Sequence, residues 1–158
     1  MMSSRIFKKR KSIKQVEESN ELAPKFDKNG LIPVVTTDFK TSEILMQGYM
    51  NEEALKKTIK IGEAVYYSRS RKSLWHKGKI SGFVQKIKEI LIDDDQDCVW
   101  LKVKVLGGAS CHVGYKSCFY RKIKIDKNTN KIKLSFIEKK KVFDPKKIYK
   151  NIPNPTKL

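Results

Sequence analysis

Between Leu31 and Met50 the apolar residues fall into two short runs, "LIPVVTTD" and "ILMQGYM", parted by the polar stretch "FKTSE". Both runs are rich in β-branched and apolar residues, which predicts strands over 31–38 and 44–50 joined by a turn, a hairpin if they pair. The pattern then changes period. Asn51 is a good N-cap, Glu52 and Glu53 follow in the first turn, and Ala54, Leu55, Thr58 and Ile59 recur at helical spacing up to Gly62. This predicts a helix over about 52–60. Beyond it "AVYYSRS" predicts a strand, and "FVQKIKEILID" fits strand or helix by period, its β-branched content favouring strand. "CVWLKVKVL" alternates apolar and basic residues over 99–105, the signature of a strand with one wet face, and Gly107 and Gly108 turn the chain after it. The tail "KIKIDKNTNKIKLSFIEKK" alternates on both sides of a turn signal at Asp126 to Asn130, which predicts a second hairpin. "VFDPKKIYKNIPNPTKL" holds three prolines and reads as an extended arm.

A length of 158 residues suits one domain, and such a chain buries a core without disulfide staples. The net charge of +18 raises nucleic acid and anionic membranes as partners. Its distribution weakens that inference. Residues 1–20 carry +4, residues 122–158 with Arg121 carry +10, and the hundred residues between carry only +4. The expected organisation is therefore a basic N-terminal extension (1–20), a central domain (21–121) and a basic C-terminal extension (122–158). The opening "MMSSRIFKKRKSIKQ" lacks the apolar segment of a secretory signal, and no run is apolar enough to span a bilayer. Three cysteines without an export signal point to reduced thiols or thiolate ligands.

Two clusters carry chemistry. "LIDDDQDCVWLKVKVLGGASCHVGYKSCFY" places Asp93, Asp94, Asp95 and Asp97 close in sequence, then Cys111, His112 and Cys118. Thiolates suit zinc and clustered carboxylates suit magnesium. The spacing of Cys111 and Cys118 is not the tight one of a zinc ribbon, so buried free thiols and a solvated acidic turn stay open as readings. "YYSRSRKSLWHKGK" interleaves Arg69, Arg71 and Lys77 with serines, Trp75 and His76. Guanidinium and hydroxyl groups suit phosphate oxygens and tryptophan can stack on a base, although a plain basic hairpin with Trp75 in the core has the same composition.

Taken together, "VTTDFKTSEILMQGYMNEEALKKTIKIGEAVYYSRSRKSLWHKG", "SGFVQKI", "DDDQDCVWLKV" and "GGASCHVGYKSCFY" resemble, in register from Phe26 to Arg121, phosphoribosyl-AMP cyclohydrolase. The resemblance implies a cyclic amidine hydrolase of histidine biosynthesis. It would open the adenine ring of phosphoribosyl-AMP between N1 and C6 by attack of zinc-activated water. It implies a mainly β (α+β) fold, a mixed sheet curled into a barrel-like shape with one principal helix. It also implies a cytoplasmic homodimer with metal sites at the interface. Zinc would be held by Cys111 and Cys118 of one subunit and a third residue of the other, and magnesium by Asp93, Asp95 and Asp97. His112 and His76 are the expected proton-transfer groups, and Arg69, Arg71, Trp75 and Lys77 the expected substrate contacts.

One position departs from the family pattern. The third zinc cysteine falls on Asp94, and Cys98 lies four residues on, some ~13 Å away in an extended segment. Three outcomes follow. Asp94 ligates through oxygen, Cys98 or His112 is recruited, or the site is weak and the chain a catalytically impaired homologue. The alternative from a different class is a nucleic-acid-binding module that uses the basic tails.

Overall fold

The computed structural model describes residues 6–158, so the N-terminal extension expected over 1–20 begins outside the described residues. The central sheet is mixed. Strands β1 (Ile32–Asp38) and β2 (Ile44–Met50) form the expected antiparallel hairpin. Strand β1 also runs parallel to β6 (Val99–Val105), and β6 pairs antiparallel with β5 (Gln85–Ile92). The order is β2-β1-β6-β5. Two hairpins stand apart from it: β3 (Val65–Ser68) with β4 (Ser73–His76), and β7 (Arg121–Ile125) with β8 (Ile132–Phe136).

The central strands hold because their apolar residues alternate. Ile32 and Val34 on β1 and Val99, Leu101 and Val103 on β6 are buried on one face. Against them pack Leu55 and Ala54 of α2 (Glu52–Ile61) and Tyr66 of β3. Helix α2 starts where its cap chemistry dictates: the Asn51 side chain accepts from the Ala54 amide at 2.8 Å. It stops at Gly62, whose left-handed backbone (φ 69°) suits a residue without Cβ.

The sheet does not close into a barrel among the described residues. Both of its edges are covered by loops instead. The Cys118 amide donates to the Leu45 carbonyl on β2, and on β5 the Ala64 amide donates to the Gln85 carbonyl while the Ile87 amide donates to the Gly62 carbonyl. These bonds satisfy part of each strand edge without a further strand.

The described parts of the two extensions are more ordered than their composition suggests. The short helix α1 (Ile13–Glu18), capped by Ser12, buries Val16. The buried Gln96 side chain accepts from the Ala23 amide at 2.8 Å and donates to the Val16 carbonyl at 2.9 Å, which ties residues 16–23 to the β5–β6 turn. At the other end, the segment expected as an extended arm contains a helix, α3 (Pro145–Tyr149), with Asp144 as N-cap and proline in its first turn. No described helix is long and apolar enough to cross a membrane.

Candidate functional site

Strand β6 separates the two halves of the first chemical cluster. The aspartates lie in the turn between Ile92 and Val99, while the Cys111–Cys118 loop follows the far end of β6 at Val105. At ~3.3 Å per residue the strand itself spans ~20 Å. Among the described residues the only group of three or more side chains placed to share a metal is Asp93, Asp95 and Asp97, whose carboxylate oxygens lie within 4.8 Å of one another. Asp94 is exposed and does not reach Cys111 and Cys118 within the chain.

The acidic turn is built around Asp93, whose Oδ1 accepts from the amides of Asp97 (2.9 Å) and Cys98 (3.0 Å). Burial, followed by hydrogen bonding to its two neighbours Asp95 and Asp93, pushes the Asp97 carboxyl above the usual carboxylate range. Three crowded carboxylates that repel one another are a donor set for a hard cation. Cys98 belongs to neither cluster. It is half-buried, and burial and then Asp93 raise its thiol pKa, which keeps it neutral.

The thiol loop turns on itself. The Cys111 amide donates to Tyr115 O at 3.1 Å and the Gly114 amide to Cys111 O at 3.0 Å. Glu138 fastens the loop from outside, its two carboxylate oxygens accepting from the Lys116 and Ser117 amides at 3.0 Å each. The thiols of Cys111 and Cys118 stand beside each other. That contact draws Cys111 down to about 6 and pushes Cys118 up. Both cysteines are free, so the two thiols are a preformed pair of soft donors, short of the further ligands a zinc ion takes.

Lys77 sits beside this pair. Only 4% exposed, it turns its ammonium to the Ser110 carbonyl and stands 4.8 Å from the centre of the Trp75 ring. Burial lowers its pKa, and the two cysteines oppose that shift. His112 is half-buried next to Cys111, and its Nε2 has no hydrogen-bond partner among the described residues. Burial and then the Lys77 charge lower its pKa. His76, at the end of β4, is tied through Nε2 to Glu63 Oε1 at 2.9 Å, and Glu63 Oε2 accepts from Lys86 at 2.6 Å.

A cleft of about 550 Å³ gathers His76, Lys77, Arg71, Trp75 and His112 on its walls. Arg71 stands over the Trp75 ring at 5.6 Å and is braced by the Ser68 hydroxyl. Arg69 lies elsewhere, its guanidinium stacked on Tyr49 at 4.1 Å from the ring centre. Of the candidates read from sequence, then, five share one cleft, two thiols flank it, and the aspartates and Arg69 stand apart from it. Sequence reasoning missed Glu63, which fixes His76, and Tyr149 and Asn154, which line the same cleft. The signal for the last two was the Asp144–Pro145 pair, a helix start rather than an extended arm.

Comparison with known proteins gives the family of the chain. Residues 46–120 match the family model described as Phosphoribosyl-AMP cyclohydrolase. The chain is 51% identical over 139 residues to the phosphoribosyl-AMP cyclohydrolase of Rhodopseudomonas palustris strain BisB18, covering 88% of this chain and 94% of that protein. It is 53% identical over 135 residues to that of strain BisA53, covering 85% and 91%. It is 47% identical over 140 residues to that of Nitrobacter winogradskyi, covering 89% and 95%. These alignments are longer than the stretch from Phe26 to Arg121 that carries the sequence resemblance.

Proposed function

The chain belongs to the phosphoribosyl-AMP cyclohydrolase family, and on that premise we propose that it opens the adenine ring of its substrate in the cleft between β4 and the thiol loop. The activity is that of the family, phosphoribosyl-AMP cyclohydrolysis in histidine biosynthesis. The observation that carries the proposal is the convergence of Trp75, Lys77, His76 and His112 on one cleft beside two adjacent thiols.

Cys111 and Cys118 would hold zinc, completed by Asp94 of a second copy of the chain. Asp94 and the thiols do not meet within one chain, which supports a site shared between two copies. An apolar face supports the same reading. Ile123 and Leu134 are paired partners across the β7–β8 hairpin, as are Ile125 and Ile132, and all four are at least half exposed. An exposed apolar stripe of this kind suits a subunit contact. The aspartate turn offers oxygen donors to magnesium. Zinc, when bound, supplies an activated water for attack at C6 of the adenine ring.

The rest falls to this chain's own side chains. The Trp75 ring offers a face on which the purine stacks. The Lys77 ammonium beside the thiols favours their ionised form. His112 presents an unpartnered ring nitrogen able to take and return a proton, and Glu63 fixes the orientation of His76 for the same task. Arg71 supplies a guanidinium for a phosphate.

The test is turnover. Protein stripped of metal is given zinc and magnesium, and conversion of phosphoribosyl-AMP to the ring-opened formimino carboxamide is followed. Turnover that returns with zinc is the expected result. A folded protein without turnover under any metal condition refutes the proposal.

A further inference from the structure

The cleft is not closed by the family-matched residues alone. Its outer wall is formed by residues 145–157, which lie beyond the stretch that the family model matches. This segment is held in place by contacts along its length. The Val142 amide donates to Gly114 O at 2.7 Å, in the thiol loop itself. Gly114 has φ 111°, and a Cβ there would strike the Phe143 carbonyl, so the close approach requires glycine. The Phe143 ring packs at 4.8 Å from Phe83 and 6.0 Å from Tyr149. Tyr149 and Asn154 line the cleft together with Ser81 and His112.

The charges this wall brings have no counter-charge. Lys146, Lys150 and Lys157 line the cleft from the outer side, facing Arg71, Lys77 and Lys79. Among the described residues no aspartate or glutamate lines the cleft. Among the described residues none of the three strap lysines is in an ion pair. Six cations around one concave space raise its potential and concentrate anions there. The three ammoniums are exposed, so their charge costs little in the free protein and is available to a ligand.

We propose that the C-terminal strap is part of the substrate site, and that Lys146, Lys150 and Lys157 bind one of the two phosphomonoesters of phosphoribosyl-AMP while Arg71 and Lys79 serve the other. The inference rests on the cyclohydrolase reading for the identity of the substrate. It assigns three of the tail's positive charges to substrate binding.

The experiment compares two triple variants of the full chain. One changes the strap, K146Q/K150Q/K157Q. The other, K122Q/K124Q/K133Q, removes the same charge from the hairpin face opposite the apolar one. The strap variant is expected to raise KM for phosphoribosyl-AMP about tenfold or more, with kcat within a few fold, since charge-assisted phosphate contacts are lost. The hairpin variant is expected to keep the wild-type KM. Equal effects from the two variants would mean a diffuse charge field, and an unchanged KM in the strap variant would mean no contact; either overturns the proposal. Equilibrium titration with AMP and, separately, ribose 5-phosphate tests the strap apart from catalysis. A wild-type protein without turnover that still binds these probes, one of them at least tenfold more weakly in the strap variant, fails as a cyclohydrolase while the strap site stands. Probe binding identical in wild type and strap variant, or absent from both, overturns the strap site.

Discussion

The Tyr66 hydroxyl donates to Gln85 Oε1 at 2.6 Å, with both side chains fully buried. Thr36 on β1 completes the tyrosine's bonding at 2.7 Å, and Gln85 Nε2 donates onward to Ser110 Oγ at 3.1 Å. Ser110 in turn offers its carbonyl to Lys77 and precedes Cys111. A polar chain thus runs from the central sheet, through the core, to the thiol loop. Removing one member leaves the others unpaired in a dry interior.

Tyr66→Phe is therefore expected to destabilise the protein by about 1–3 kcal/mol, the cost of stranding a buried acceptor. Chemical denaturation measures it. The same variant is expected to bind zinc more weakly than wild type, because Gln85, which holds Ser110, loses the partner that orients it. A Tyr66→Phe protein of unchanged stability would mean that the chain of bonds contributes nothing to the fold.

Glu63 gives a pH dependence of definite sign. Its hydrogen bond to Lys86, and then that to His76, outweigh partial burial and hold its carboxyl below the usual range. A depressed carboxylate contributes stability that is present above its unfolded pKa and is lost as pH falls through the folded value. Between about pH 5 and about pH 3 the melting temperature of wild type should fall more than that of Glu63→Gln. Because Glu63 is partly solvated the difference is small. Parallel curves for the two proteins would show that the carboxylate is not held by these partners.

In the proposed zinc site Asp94 offers a harder and less donating carboxylate in place of a thiolate. Wild-type protein is expected to bind zinc more weakly than Asp94→Cys in competition with a chelator. Equal or tighter binding by wild type would remove Asp94 from the zinc site.

Much of the fold was legible because its strands are short and strongly patterned. Burial alternates from Val99 to Lys104, and Asn51 and Gly62 bracket α2 with caps that mean the same thing in any context. Strand β4 was not legible. Ser73–His76 is four residues of mixed polarity, and only pairing with β3 makes it a strand. The strap failed for a different reason. Its prolines suggested extension, whereas Pro145 sits at a helix start, where a missing amide costs nothing. The site residues were legible as types and not as a set. Nothing local tells that Arg69 stacks on Tyr49 while Arg71 enters the cleft, or that β6 holds Asp94 away from Cys111. Those facts depend on strand order and on the direction each side chain leaves a hairpin.

The most direct test of the account is a subunit-mixing experiment. Asp94→Ala and the double variant Cys111→Ser/Cys118→Ser are each purified, unfolded together in equal amounts, refolded with zinc and assayed against wild type treated in the same way. Each variant alone should be inactive. If one site draws on two chains, half of the dimers are hybrids with one intact site each, and the mixture should recover about a quarter of wild-type turnover. A mixture as inactive as its components, beside a wild-type control that turns over, would contradict a site shared between chains.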